Sequence, residues 1–323
     1  TGIRNGGALT FSASTNNNFG AMTVAANTRI INSGSGTVTF GGTITAANGI
    51  TTAIGGTGPI TISGVYGATA TSATITKWGS GTLNINAASI TTGLVRINGG
   101  TINYGVNDAL STPALTVAGG TLNLATFNET NIGAVTLIDG SIINSNGTAS
   151  LTSTATYTLE KGTVSAVLGG AVVAAIVKNT AGKVVLSGNN TFNGTAATIA
   201  VNAGYLNLGH SNALGAAASA NTTTVLAGAT LELENSITIP SVKAITVNGT
   251  GVGRNGAIRN ISGTNSIGAN ITLGTTNVRI NSDSGTLTIP TISGNTFNTI
   301  FGGDGNIAVS GAITTTFPSF MPT

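Results

Sequence analysis

Apolar residues in this chain come in pairs separated by one polar or small residue. Leu9/Phe11, Val38/Phe40, Ile60/Ile62, Leu83/Ile85, Val95/Ile97, Ile102/Tyr104, Leu122/Leu124 and Val135/Leu137 are examples. Val184/Leu186, Leu206/Leu208, Leu231/Leu233, Ile245/Val247, Ile271/Leu273, Val278/Ile280 and Leu287/Ile289 continue the series. A period of two places one side of a strand in a core and the other in water. The intervening Thr, Asn, Arg or Ser are therefore expected to point outward. Most pairs lie about 6 to 12 residues apart with Gly or Asn between them, which predicts a turn after nearly every strand. Only the Ala-rich stretches 165–176 and 213–220 invite a short helical or irregular excursion.

Composition narrows the class further. Of 323 residues, 57 are threonine, 48 glycine and 36 asparagine, with only 6 prolines. Gly, Thr, Asn and Val all disfavour helix. Charged residues are 6%, against about 25% in an ordinary soluble domain. The hydrophobic share of 40% and a mean hydropathy of +0.35 argue against disorder. No stretch approaches the ~20 apolar residues of a spanning helix, so no membrane insertion by this segment is expected. The net charge is +3, and the eleven cations are scattered from Arg4 to Arg279 without a cluster, which argues against nucleic acid as a partner. The absence of cysteine excludes disulfides, thiol catalysis and cysteine metal sites. TGIRNGGALTF lacks the charged and apolar regions of a secretory signal, so the expectation is a removed signal or a segment of a longer chain.

Internal repeats carry the most information. KWGSGTLNI (77–85) matches KNTAGKVVL (178–186), INGGTINYGVNDAL (97–110) matches VNAGYLNLGHSNAL (201–214), and AGGTLNL (118–124) matches AGATLEL (227–233). These relate 77–124 to 178–233. A longer period relates 1–66 to 250–313: TRIINSGSGTVTF (28–40) matches NVRINSDSGTLTI (277–289), RNGGAL (4–9) matches GRNGAI (253–258), and GGTGPITISG (55–64) matches GGDGNIAVSG (302–311). The offset is 247–249 residues, so the chain reads as one period plus the start of the next, cut from a tandem array. Short repeated strands with turns predict an all-β fold, a parallel β-helix or β-solenoid running as one continuous array through 1–323. Strand spacing of ~4.8 Å and about 13–16 rungs would give a rod of roughly 60–75 Å. Inward apolar residues would form columns and outward Thr and Asn hydrogen-bonded ladders. A string of β-sandwiches of about 100 residues is the competing reading, against which the turns come too often.

KNTAGKVVLSGNNTFNGTAATIAVNAGYLNLGHSNALG (178–215) resembles the passenger-associated transport repeat of bacterial autotransporters. The earlier copy departs from it, with NAASITTG in place of SGNNTFNG. GAIRNISGTNSIGANITLGTTNVRINSDSGTLTI (256–289) is similar to the related autotransporter-associated β-strand repeat. The resemblance implies a right-handed parallel β-helix displayed outside a bacterium. The alternating strands and aromatic girdles of the family's translocator barrel are not seen.

Candidate chemistry is sparse. The carboxylates are Asp108, Glu129, Asp139, Glu160, Glu232, Glu234, Asp283 and Asp304. Glycoside hydrolysis needs two of them about 5–9.5 Å apart. Asp283 and Asp304 could stack one rung apart, and Glu232 and Glu234 share a strand face. Their repeat counterparts are uncharged (Asp283 with Gly34, Asp304 with Thr57, Glu232 with Asn123), so they read as surface carboxylates and no catalytic residue is assigned. GGDGN (302–306) is like one calcium-binding β-roll repeat, but its sister GGTGP (55–59) marks a glycine corner instead. His210, the only histidine, reads as an exposed turn residue rather than a metal ligand. No metal or cofactor is expected. Thr37/Thr39, Thr43/Thr45, Thr74/Thr76 and Thr286/Thr288 could form an ice- or polysaccharide-binding ladder, but they do not recur once per rung in the sequence. Trp78 is the one candidate for stacking a sugar. No cluster of Asp, Arg and aromatic residues on one face is visible.

These observations predict a non-catalytic structural module of an extracellular or cell-surface bacterial protein, adhesin- or fibre-like. The alternatives are a carbohydrate-binding or -cleaving β-helix domain, with surface or matrix polysaccharide as partner, and a self-assembling filament subunit. Neither end looks capped, since Arg4 lies inside a repeat and the tail with Phe317, Pro318, Phe320 and Pro322 brings no charge. Covalent continuation or end-to-end self-association is the expected partnership.

Overall fold

The computed structural model describes residues 9–67, 72–88, 93–110, 114–171, 174–194 and 197–315. Arg4 and the 316–323 tail, with its phenylalanines and prolines, lie outside them. Among the described residues every element is a short strand apart from one 3-10 turn, Val252–Arg254. The chain divides into two compact units, Thr1–Ala155 and Thr156–Thr323. Each is a parallel β-solenoid.

In the first unit, Leu9 pairs with Ile30, Ile30 with Ile54, Ile54 with Lys77, Lys77 with Ile97, Ile97 with Val117 and Val117 with Leu137. A second column runs Val38, Ile60, Leu83, Ile102, Leu122, Ile142. Among the described residues these pairings are parallel, and apart from irregularities such as the one between Val117 and Thr121 they keep register, so apolar stacks on apolar at nearly every rung, Lys77 being the exception. Rung length varies because corners absorb insertions. Val95 meets Leu115, 20 residues on, whereas in the second unit Leu231 meets Ile258, 27 residues on.

The second unit repeats the scheme. Tyr157, Ile176, Ile199, Thr223, Ile245, Ile271, Ile292 and Ile313 form one column. Val184, Leu206, Leu231, Ile258, Ile280 and Phe301 form another. Apart from Leu9/Phe11 in the first described rung, the apolar pairs identified by their period of two are buried. The 213–220 stretch is irregular as expected, but 165–176 contains the strands Val167–Gly169 and the start of Ala174–Lys178. Parallel pairing with the next rung stabilises that Ala- and Val-rich segment in extended form, overriding its local helix preference.

The intervening residues do not all point to water. Asn32, Asn190, Asn221, Asn260 and Asn265 are buried at corners, where turn carbonyls and N–H groups would otherwise be orphaned. Asn32 donates through Nδ2 to Gly36 O and Pro59 O, both at 2.8 Å, and accepts from Gly34 N at 3.1 Å. One side chain thus ties its own corner to the corner of the next rung. Outward ladders also form. Thr39, Thr61, Asn84, Asn103 and Asn123 stack in register, with Asn84 Nδ2 3.2 Å from Thr61 Oγ1 and Asn103 Nδ2 3.3 Å from Asn84 Oδ1.

Candidate functional site

In the second unit, strands Lys183–Leu186, Gly204–Leu208, Ala229–Leu233, Ile258–Asn260 and Val278–Ser282 present one face whose register brings the charged residues together. Asn207 pairs with Glu232, Glu232 with Arg259 and Arg259 with Asn281. Lys183 Nζ lies 2.7 Å from Glu232 Oε2, and Arg259 Nη1 lies 3.2 Å from Oε1. Arg259 Nε then donates to Asp283 Oδ2 at 2.7 Å. That hydrogen bond is the main cause of a raised Arg259 pKa, so the guanidinium stays charged. Lys183 also sits 5.5 Å from the Tyr205 ring centroid, and Arg279 Nε donates to Asn281 Oδ1 at 2.8 Å.

This corrects two expectations. Glu232 is fully buried rather than a surface carboxylate, and a cluster of Asp, Arg and aromatic residues does share one face. The period of two assigns Glu232 to an outward face. It does not reveal that Lys183 and Arg259 close over it. Both Glu232 oxygens are engaged, one by each cation, so the carboxylate joins strands. Glu234, half-buried, lies just beyond the strand. Asp283 turns to Arg259, while Asp304 is exposed in the corner of Gly303, φ +95°.

Glu129 is a second buried acid. Its carboxylate is buried and Oε2 accepts from Leu110 N at 2.9 Å. Asn190 does the same work in the second unit, accepting from Leu168 N and donating to Ala213 O, both at 2.9 Å. Burial pushes the Glu129 pKa up to about 7; the Leu110 N–H opposes the rise and Asp108 adds to it. Tyr104 is buried beside it, and burial first and Glu129 second raise its phenol well above the ordinary value. Asp108, at φ +50°, accepts from Thr130 N at 2.8 Å, Asp139 from Gly140 N at 2.8 Å, and Glu160 from Asn179 N at 3.1 Å.

Three buried lysines went unnoticed in the sequence. Lys77 and Lys178, repeat counterparts, occupy positions in apolar columns next to Ile54 and Val201. Lys77 Nζ donates to the carbonyls of Trp78, Gly79 and Gly99 at 2.9, 3.0 and 3.2 Å. Lys178 donates to Thr180 O, and Lys243 to Ala216 O and Ser219 O at 2.7 and 2.8 Å. Burial lowers Lys77 and Lys243 to about 8 and lowers Lys178 as well. The signal was a lysine recurring at offset 101 in an otherwise apolar phase.

The remaining candidates are placed as follows. His210 is half-buried in its turn, its Nδ1 accepting from Asn212 N at 3.0 Å. Trp78 is half-buried against Gly55, with the Arg29 guanidinium 4.6 Å from its ring centroid, so it is no free platform. The named Thr-x-Thr pairs build no continuous array; Thr76, for instance, stacks between Ala53 and Arg96. A hydroxyl column does recur once per rung elsewhere: Thr224, Thr246, Thr272, Ser293 and Thr314. The sequence hides it because rung lengths differ. Among the described residues no group of three or more His, Cys, Asp or Glu could hold a metal, and no helix is long and apolar enough to cross a membrane. No protein-family model matches the sequence, and neither curated proteins nor solved structures give a match.

Proposed function

We propose that the chain is a non-catalytic structural module of a bacterial surface protein, a β-solenoid stretch of autotransporter type that spaces and stiffens. The observation that carries this reading is how its polar side chains are used. The buried Glu232, Glu129, Lys77, Lys243 and corner residues such as Asn32 are engaged in holding rung to rung, and Lys178 ties down its own turn. Tight parallel stacking with a sparsely charged exterior suits a passive element exposed outside a cell. The test is labelling of intact and permeabilised cells that make the protein, using antibody against the folded chain. Equal labelling is expected; labelling only after permeabilisation overturns the reading.

A second reading, polysaccharide binding, draws support from the hydroxyl column beginning at Thr224 and from Tyr205 beside Lys183. Screening immobilised glycans separates the two. Retention that is lost in Thr246→Val and Thr272→Val would favour the binding module.

A further inference from the structure

Lys183, Asn207 and Glu232 stand on three successive rungs of the second unit. Lys183 pairs with Tyr205 and Val185 with Asn207, so Lys183 and Asn207 are diagonal neighbours, a separation that a lysine side chain spans. Asn207 pairs directly with Glu232. The three side chains meet at one atom. Glu232 Oε2 lies 2.7 Å from Lys183 Nζ and 3.5 Å from Asn207 Nδ2. The other oxygen, Oε1, is occupied by Arg259 Nη1 at 3.2 Å. Glu232 is fully buried, Asn207 is 1% exposed, and Asn207 Oδ1 has no hydrogen-bond partner. The Lys183 side chain is the member that reaches water, with the Tyr205 ring centroid 5.5 Å from its nitrogen.

An ion pair accounts for Lys183 against Glu232 but not for a dry primary amide turned to the same oxygen. Amine, carboxylate and amide are together the parts of an acyl transfer: a nucleophile, a base for its proton, and an acyl carbon whose leaving group is ammonia. The amide nitrogen faces the carboxylate, since the opposite orientation would set oxygen against oxygen. Oε2 therefore touches both the attacking and the departing nitrogen. The first unit carries the same position without this chemistry. The counterparts there are Thr82, Asn103 and Asn123, of which Asn103 pairs with Asn123. Asn103 Oδ1 is buried and unpartnered too, so the dry amide belongs to the repeat, and the second unit adds the amine and the acid.

We propose that Lys183 and Asn207 join through an isopeptide bond between their side chains, with Glu232 carrying the protons. Glu232 Oε2 takes a proton from the Lys183 ammonium, and the free amine attacks Asn207 Cγ. The tetrahedral intermediate collapses as Oε2 returns the proton to Nδ2 and the Cγ–Nδ2 bond breaks. Of the three ammonium hydrogens, one stays on the new amide nitrogen and two leave with the departing nitrogen as ammonium ion. Glu232 ends as it began, a carboxylate, and the balance needs no oxidant and no co-reactant. Burial of Asn207 keeps water from competing for its acyl carbon. The bond adds a covalent tie between two rungs to their backbone pairing. It goes beyond the structural-module reading and does not rest on it, since it concerns three side chains of one unit.

The experiment is mass spectrometry of the full 323-residue chain, folded, then denatured and digested with trypsin. The wild type is expected to be lighter than its sequence by one ammonia. Trypsin should cut after Lys178 and Lys243 but not after Lys183, and fragmentation of the 179–243 peptide should release no piece that separates residue 183 from residue 207. A succinimide at an Asn-Gly step also loses ammonia, but it leaves Lys183 open to trypsin. Lys183→Arg keeps the charge and removes the amine, so it should regain the cut after residue 183. Glu232→Gln should slow the ammonia loss roughly 100-fold, the low end for a positioned general base. Lys183→Arg alone is scored if Glu232→Gln loses its strand circular dichroism. A wild type of full sequence mass overturns the proposal, as does a Lys183 that trypsin cleaves or a Lys183→Arg chain that stays uncut at that residue. Surface labelling reads none of these quantities, so failure of the functional reading and failure of the cross-link are told apart.

Discussion

Single polar atoms inside the columns decide how much each rung contributes. Thr223 stands in a column of isoleucines with Oγ1 buried and unpartnered, whereas Thr52, equally buried in the first unit, accepts from Tyr66 Oη at 2.7 Å. A buried hydroxyl without a partner costs about 1–3 kcal/mol. Thr223→Val should therefore raise stability by about 1 kcal/mol, and Thr52→Val should lower it; urea midpoints check both. Lys77→Met keeps the apolar stem but orphans three carbonyls, and should cost about 2 kcal/mol or more. Glu129 links stability to pH. Its folded pKa of about 7 lies above the ordinary 4.5, so the folded state holds an extra proton between those values. The stabilisation is full below pH 4.5, is lost as pH rises through 7, and amounts to at most roughly 3 kcal/mol at about 1.4 kcal/mol per unit. Trp78, the only tryptophan, lies in the same unit and reports its unfolding. The urea midpoint by its fluorescence should fall from pH 5 to pH 8 in the wild type and stay nearly level in Glu129→Gln.

The strands were legible from the period of two because stacked rungs repeat the same inward phase. The corners were legible only as punctuation, since which glycine is indispensable depends on the neighbouring rung. Gly49 and Gly79 share a left-handed φ, +72° and +70°. A Cβ on Gly49 would meet nothing within 4 Å, whereas one on Gly79 would lie 2.4 Å from Gly56 O. Gly49→Ala should cost about 1 kcal/mol, the conformational penalty alone. Gly79→Ala adds a backbone clash and should cost several times more; equal effects would show that corner stacking is loose. Burial on the outward face was hidden for a related reason. Nothing in the spacing of Lys183, Glu232 and Arg259 announces that rungs 22 to 27 residues long will place them side by side. Lys77 was hidden for a different reason, because a lone charged residue in an apolar phase does not announce that its ammonium will be held by the carbonyls of Trp78, Gly79 and Gly99.

At the scale of the whole molecule, stability resides in contacts between rungs rather than in the covalent path between them. Trypsin tests this directly, because the chain has only eleven lysines and arginines. Lys77, Lys178 and Lys243 are buried, while Arg29, Arg96, Lys183, Arg259 and Arg279 lie in paired strands. Of the described cations, Lys161 and Arg254 alone are exposed outside strands, and Arg254 holds φ +65° in the short turn Val252–Arg254. Native cleavage should therefore begin at Arg254 and Lys161, with the strand sites resistant until unfolding. The segments flanking Arg254 remain joined by Leu231 pairing with Ile258 and Ile245 with Ile271. A protein nicked there should give separate bands on a denaturing gel but elute with the uncut chain in size exclusion. Early cleavage at Arg96 or Arg259, or separation of the nicked pieces without denaturant, would mean that the rungs open locally and that pairing between them does not hold the molecule together.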